Sequence, residues 1–361
     1  MSANSKKPFG GGRIILRETL RRLRLRRSDI WPSADPIGTA APVEVLPALY
    51  HEDHLERVTG VGFGLPLAGE KEKLETRLAA ARPPGMVVFE DVIWCGGRLF
   101  PAKGNHFLAE GAPLMQAFAS RPAHDHVVVT NSRLGLKYFG HWLGDDCAAR
   151  ELPLPDGALV KSLNRPEWSD CAFYETAFGQ AWDEEETFYA RKLSIVTDTG
   201  YSLDKKRRLE VLRARMRQTF PIAENAGGIA YIQRGTKGEP RTMANEAALI
   251  DRLLATGVRI VRAETGGETI ARAILDAKII IGVEGSQIRH GAYNLSANGA
   301  LLVLQPPHRF YNPHHEWARL LGMRYGTVVG HASADGYHID IDEVMAMLDR
   351  LHRVLDQPDG A

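Results

Sequence analysis

Two short stretches bring together side chains that chemistry uses, at spacings that let them act on one another. In Lys137–Arg150 (KYFGHWLGDDCAAR), Tyr138, Phe139, Trp142 and Leu143 can pack inward, leaving His141 and Asp145 four residues apart on one face of a helix. A carboxylate one turn from an imidazole fixes its tautomer and raises its basicity, as general-base catalysis requires. The same spacing also describes a structural histidine satisfied by a neighbouring acid, and taken alone it favours that plainer reading. In Lys278–Gly291 (KIIIGVEGSQIRHG), an apolar run ends at Gly282 and gives way to Glu284, Gly285, Ser286 and Gln287, with Arg289 and His290 a turn further on. Backbone N–H groups at Gly285 and Ser286 could meet an anion at a helix start that Ser286 caps. Glu284 could accept from the two hydroxyls of a ribose. A nucleotide sugar offers both phosphates and hydroxyls.

Cations for a diphosphate lie earlier. In Tyr231-Ile232-Gln233-Arg234-Gly235-Thr236-Lys237, Arg234 emerges where a strand should end, with Lys237 close by, and a guanidinium can hold two oxygens at once. A surface arginine in a strand–helix loop is the plainer alternative. Asn245 and Glu246 open the next helical segment, where a cap and a first-turn carboxylate account for them equally well. The chain has neither G-x-G-x-x-G after its first C-terminal strand nor G-x-x-x-x-G-K-[ST], which disfavours a nicotinamide dehydrogenase and a P-loop NTPase. Asp340-Ile341-Asp342 has the D-x-D spacing of a divalent-cation site, but its place at a helix start suits a cap. His124-x-His126 and His314-His315 have no partners at metal-ligand spacing. No catalytic metal or other cofactor is therefore expected. Arg234, Lys237 and the helix N-terminus supply the positive field.

These residues need a scaffold. After Pro221 the pattern is regular, with strands at Gly228–Gln233, Val258–Ala263, Lys278–Val283, Leu301–Gln305 and Tyr325–Val329. Helical segments follow at 243–256, 267–277, 286–297, 312–322 and 340–355. This alternation predicts an α/β fold, a five-stranded parallel sheet with helices on both faces. Upstream, residues 71–81 read as a short helix. Met86–Phe89, Asp91–Phe100 and His126–Thr130 read as strands, the second bounded by Gly96-Gly97. ALVKSL, CAFYETAF and KLSIVTD read as aromatic-rich loops and strands. The acidic run Asp183–Glu186 reads as solvated. Residues 203–219 form a charged helix with Leu209, Leu212 and Met216 inward, ended by Pro221. The expected divisions are an arm over 1–30, an N-terminal domain over 31–221 and a C-terminal domain over 222–361.

With 361 residues, 44% of them apolar, the chain is of ordinary globular composition. It contains no run of about 18 apolar residues, and its start lacks the apolar core of a secretory signal. Cys95, Cys147 and Cys171 fit neither a disulfide framework nor a zinc knuckle, so a reducing, cytoplasmic compartment is expected. The net charge of +1 conceals a basic arm, RIILRETLRRLRLRR, with Arg17, Arg21, Arg22, Arg24, Arg26 and Arg27 around Leu16, Leu20 and Leu23. Such a segment can bind an anionic membrane surface, peripherally on the inner face of the cytoplasmic membrane, or serve as a solvated or partner-docking helix. Without aromatic interleaving or a second basic patch, it does not read as a nucleic-acid binder.

Tyr138-Phe139-Gly140-His141-Trp142-Leu143-Gly144-Asp145 resembles the Y-x-x-H-W-L-x-[DE] motif of glycosyltransferase family 61. Tyr231-Ile232-Gln233-Arg234 is similar to that family's Y-I-S-R, Asn245-Glu246 to its N-E, and Gly282-x-x-Gly285-Ser286 to its G-x-x-G-[AS]. The motifs occur in order across roughly 130–330, leaving 1–80 uncovered. Glu284 stands where the family often has His, and Gln233 where Ser is usual. Members include capsular-polysaccharide enzymes, plant xylan-decorating transferases and an EGF-domain N-acetylglucosaminyltransferase. The resemblance implies an inverting, metal-independent transferase of GT-B type, with two facing Rossmann-like domains. The C-terminal domain would then hold a nucleotide-sugar donor through Arg234, Lys237, Asn245, Glu246, Gly282, Glu284, Gly285, Ser286, Gln287 and His290. The N-terminal domain would present a glycan or lipid-linked acceptor to His141 as base, oriented by Asp145, with Asp145 as base the second assignment. The alternative is a non-catalytic nucleotide-sugar or glycan-binding scaffold of a membrane-associated polysaccharide assembly.

Overall fold

The computed structural model describes residues 34–38, 41–100, 106–107, 121–162, 168, 170–220, 222–235 and 238–357. The arginines of the arm, Arg17, Arg21, Arg22, Arg24, Arg26 and Arg27, lie outside the described residues, as does Lys237. The chain divides into two compact units. One comprises the described parts of 1–39, 83–168 and 180–200; the other comprises those of 40–82, 169–179 and 201–361.

In the first unit β1 (Asp35–Pro36), β2 (Gly85–Cys95), β3 (Arg98–Phe100), β4 (His106–Phe107), β5 (Ala123–Val129), β6 (Leu159–Lys161) and β7 (Thr187–Thr197) form a seven-stranded sheet. Its order is β4-β3-β2-β7-β5-β6, with β1 beside β2. Strand β5 runs parallel to β6 and β7, whereas β2 is antiparallel to β7, β3 and β1. The first unit's sheet is therefore mixed, parallel on one side of β7 and antiparallel on the other. The cause is local. Gly96 and Gly97, at φ 49° and 85°, form a tight turn that returns the chain antiparallel beside itself. The two strands expected on either side of Glu90 are one. Asp91, at φ 50°, sits in an irregularity between the pairs Glu90–Lys192 and Val92–Ala190.

The second unit's sheet follows the expectation closely. Strands β8 (Ile229–Gln233), β9 (Arg259–Arg262), β10 (Ala277–Val283), β11 (Leu295–Gln305) and β12 (Arg324–Val329) are all parallel, in the order β9-β8-β10-β11-β12. Ile279, Ile280 and Ile281 are fully buried in succession, as a strand covered on both faces requires. The helix Ile341–Asp356 buries Val344, Met347, Leu348 and Leu351 in the core. Asp340 caps that helix by accepting from the N–H groups of Asp342 and Glu343, which accounts for the D-x-D spacing.

Three elements depart from the sequence reading. CAFYETAF is a helix, Cys171–Phe178, burying Cys171, Tyr174, Ala177 and Phe178; its aromatic content suggested strand, but its spacing is helical. The segment after β10 is a 3-10 turn, Ser286–His290, and a single α-turn, Gly291–Asn294. Strand β11 accordingly begins at Leu295, and Asn294 closes the turn by donating to the His290 carbonyl at 2.8 Å. The helix Leu203–Thr219 belongs to the second unit. Its Arg213 donates to the carbonyls of Ala292 and Leu295 at 2.7 and 2.6 Å, taking up acceptors that so short a turn leaves unpaired.

Burial in this unit sets an acid limit on stability. His315 is fully buried, 4.9 Å from the Tyr325 ring, and burial holds its pKa down to about 3. The unfolded chain therefore binds this proton between pH 6.5 and about 3 while the folded protein does not, so stability falls as pH drops through that window. Urea unfolding of His315→Phe is expected to show a flatter pH dependence between pH 4 and 6 than the unaltered protein. The difference in slope approaches about 1.4 kcal/mol per pH unit. Equal slopes would remove His315 from this role.

Candidate functional site

The first candidate group follows β5. The chain leaves the sheet at Val129, turns, and re-enters as a helix at Phe139–His141 that widens into a π-turn over Trp142–Asp146. Such local widening adds one residue to a turn and often marks functional positions. Trp142 and Leu143 are fully buried, as expected, while Tyr138 and Phe139 are half-buried. His141 Nδ1 lies 2.7 Å from Asp145 Oδ2. The His141 side chain is 32% exposed and that of Asp145 6%, so the acid is held inside while the imidazole reaches the surface. With Nδ1 directed at the carboxylate, Nε2 is the nitrogen positioned to accept a proton.

Asp146 is the anchor of this turn. It accepts from the Ser132 N–H at 2.9 Å and from Asn131 Nδ2 at 3.4 Å, and burial raises its pKa well above the ordinary carboxylate range. A Cβ at Gly135 would strike the Asp146 carboxylate, so the 131–136 loop closes over this acid only with glycine there. Neighbouring aspartates thus have separate tasks. Asp145 pairs with the imidazole and Asp146 ties the turn to the end of β5.

The second group lies where the sheet order reverses. In a parallel sheet of order 2-1-3-4-5, ligands bind beyond the carboxyl ends of the first and third strands, here β8 and β10. The register pairs Ile232 with Gly282, which brings the following residues Arg234 and Glu284 to one edge. Arg234 donates from Nη1 to Gln287 Oε1 at 3.0 Å and from Nη2 to the Glu239 carbonyl at 2.9 Å. Gln287 in turn donates to the Val283 carbonyl at 2.6 Å and so acts as a bracket for the arginine. A Cβ at Gly285 would collide with Arg234 Nη1 and with Gln287 Oε1, which explains the glycine.

Glu284 is buried among cations. Arg241 Nε stands 2.7 Å from its Oε2 and Arg309 Nε 4.0 Å from the same atom. Burial pushes the Glu284 carboxyl up, against the downward pull of Arg241, Arg309 and Arg234. Arg309 Nη1 pairs with Glu239 Oε2 at 3.0 Å, while Arg309 Nε and the buried Tyr337 hydroxyl have no hydrogen-bond partner among the described residues. Buried polar groups are normally satisfied, and these two lie beside three arginines and one carboxylate, a set that could meet anionic oxygens and hydroxyls of a ligand. Arg309 is set by a rigid loop. Gln305 donates to the Tyr311 carbonyl at 2.8 Å, and the Asn312 N–H donates to buried Glu70 at 2.8 Å.

Other expected donor residues have internal partners. Asn245 pairs with the Ile339 peptide, donating at 2.7 Å and accepting at 3.0 Å, and its side chain does not cap the helix. Glu246 accepts from the Tyr231 hydroxyl at 2.6 Å and from Gln233 Nε2 at 3.4 Å. His290 is buried, with Tyr174 Oη 2.6 Å from Nδ1 and Asp170 Oδ2 3.6 Å from Nε2. Gly285 rather than Ser286 stands at the cap position, and the short turn that Ser286 opens has too few aligned peptides for a substantial dipole. Positive charge at this edge comes from side chains. A Cβ at Gly282 would meet the Ile232 carbonyl oxygen at 3.2 Å and the Ile288 side chain at 3.3 Å. Arg241 and Arg309 escaped the sequence reading; their signal was a cation in the loop after the first and fourth strands of the sheet.

The family model of glycosyltransferase 61 matches residues 106–301, more than half of the chain. The chain belongs to the glycosyltransferase 61 family. No curated protein matches it. The matched span of this family 61 member contains His141, Asp145, Arg234, Arg241 and Glu284, while Arg309 lies outside it. Membership makes it a glycosyltransferase in general terms, with a sugar donor and an acceptor as substrates. No helix among the described residues is long and apolar enough to cross a membrane.

Proposed function

We propose that this protein is an inverting, metal-independent glycosyltransferase of GT-B type. It moves a hexosyl or pentosyl group from a nucleotide sugar to a hydroxyl of a surface glycan of capsular or lipopolysaccharide type, or of its lipid-linked precursor. The observation that carries the donor side is the cluster of Arg234, Arg241 and Arg309 around Glu284 at the reversal point of the parallel sheet. Fixed guanidinium groups can take up the charge that develops on a leaving diphosphate, the task a divalent cation performs elsewhere. Lys237 belongs to the same diphosphate site in this reading, and Glu284 meets the ribose. On the acceptor side, His141 Nε2 removes the hydroxyl proton as the oxygen attacks the anomeric carbon from the face opposite the leaving group, and Asp145 stabilises the imidazolium. The configuration at that carbon inverts. The arginine-rich arm holds the protein peripherally on the cytoplasmic face of an anionic membrane.

The test is calorimetric titration and turnover in the presence of a strong chelator. A nucleoside diphosphate is expected to bind, and at least one nucleotide sugar to be hydrolysed or transferred at a rate that added magnesium or manganese leaves unchanged. Loss of turnover in chelator would overturn the metal-independent mechanism. Nucleotide binding with neither hydrolysis nor transfer across a panel of donors and acceptors would assign the chain to a scaffold role.

A further inference from the structure

The loop Gly60–Leu65 holds an aromatic ring at the surface. Phe63 is 56% exposed and sits at φ 58°, ψ 21°, a left-handed conformation that a bulky residue rarely adopts. Backbone strain of this kind persists where surrounding structure imposes it, and it gathers at ligand sites. Here the imposing structure is visible. The Thr59 and Gly60 N–H groups donate to the Pro307 carbonyl, the Gly62 N–H to Phe310, and the Phe310 N–H back to Gly60. The loop is thereby zipped to the segment that carries Arg309. A Cβ at Gly60 would meet the His308 carbonyl oxygen at 2.5 Å, and one at Gly62 the Tyr311 side chain at 2.9 Å, so the approach depends on both glycines. The outcome is a ring with its edge on Tyr311, centroids 5.2 Å apart, and the Arg309 guanidinium 4.9 Å above it. That same guanidinium reaches to 4.0 Å from Glu284.

We infer that Phe63, with Arg309, forms the platform on which the planar base of the nucleotide donor stacks. The inference rests on the proposed donor site, and it adds a residue from outside the family-matched span. Phe63 and Glu284 both approach the Arg309 guanidinium, its carbon 4.9 Å from the ring and its Nε 4.0 Å from the carboxylate, so a base on Phe63 would have the carboxylate proposed for the ribose, and Arg241 beside it, close by. Stacking on an aromatic ring tolerates different bases, and a guanidinium beside it adds attraction for the π-face.

The experiment compares dissociation constants for a panel of nucleoside diphosphates (UDP, CDP, GDP and ADP) and for inorganic pyrophosphate. It uses the full chain, Phe63→Ala, Phe63→Trp and Phe63→Asn. Phe63→Ala is expected to weaken the tightest nucleoside diphosphate by about tenfold or more while pyrophosphate stays within about twofold, and Phe63→Trp to restore most of the loss. Asparagine tolerates the left-handed conformation, so Phe63→Asn should lose nucleotide affinity without a lower melting temperature. Unchanged nucleoside diphosphate binding in Phe63→Ala would overturn the inference. So would equal losses for pyrophosphate, or a lowered melting temperature in Phe63→Asn with pyrophosphate binding lost, since either assigns Phe63 to the fold. If the unaltered protein binds pyrophosphate as well as any nucleoside diphosphate, the base platform falls and the anion site stands. Binding of neither removes both.

Discussion

Replacing His141 with alanine is expected to lower turnover at saturating donor by about 10²–10⁴-fold, with donor affinity unchanged. The size follows from the task. A sugar hydroxyl is a poor nucleophile until its proton is accepted, and His141 Nε2 lies on the exposed side of an imidazole whose Nδ1 is fixed by Asp145 at 2.7 Å. Asp145→Asn gives the sharper comparison, because it preserves shape while removing charge. An asparagine can present its N–H to Nδ1, which would place the ring proton on Nε2 and leave no base facing the acceptor. That variant is therefore expected to lose nearly as much turnover as His141→Ala. If Asp145 were itself the base, His141→Ala would retain substantial turnover and Asp145→Asn would lose almost all of it. Unchanged turnover in both variants would remove the pair from catalysis. Both variants should fold, because Asp146 holds the turn through Ser132 and Asn131.

Much of this was legible from local pattern, and what was not has definite physical causes. The five strands of the second unit show as apolar runs ending in glycine or polar residues, because a strand buried on both faces has no polar side to blur the signal. The His141–Asp145 contact was legible as a four-residue spacing, whereas the π-turn that carries it has no sequence signature of its own. Arg234 and Glu284 could be placed at strand ends from the sequence, but their mutual approach depends on strand order, which is a non-local property. The same holds for Arg241 and Arg309, which come to one carboxylate from loops 68 residues apart in number. The mixed sheet of the first unit was hidden for a related reason. Its longer strands were readable, but their partners and directions were not, except where Gly96-Gly97 closed a hairpin. His290 and Asn245 lie within motifs and yet serve the interior, since position in a motif does not say which way a side chain is turned.

The arginine cluster supports the second large effect. Arg241→Ala removes the closest cation from a carboxylate that is 4% exposed, and breaking a buried pair from one side costs about 3–5 kcal/mol. Arg309 and Arg234 remain near Glu284, which places the expected loss of stability at the lower end of that range. Its pH dependence follows from the sign of the shift. Burial already raises the Glu284 pKa, and losing Arg241 raises it further. Between the unfolded value of 4.5 and that raised value the folded variant binds the extra proton, so it loses stability as pH increases through the window. Chemical denaturation at pH 5 and pH 8 should show a larger deficit at pH 8. Affinity for a nucleoside diphosphate should fall as well, and combining Arg241→Ala with Glu284→Gln separates the two effects. The double variant has no unpaired buried charge, so its stability is expected to recover while its affinity stays low, because the guanidinium that met the phosphates is still missing. Recovery of both would mean that Arg241 serves only to neutralise Glu284. Recovery of stability with an affinity below that of Glu284→Gln alone would identify Arg241 as a diphosphate ligand that Glu284 holds in position.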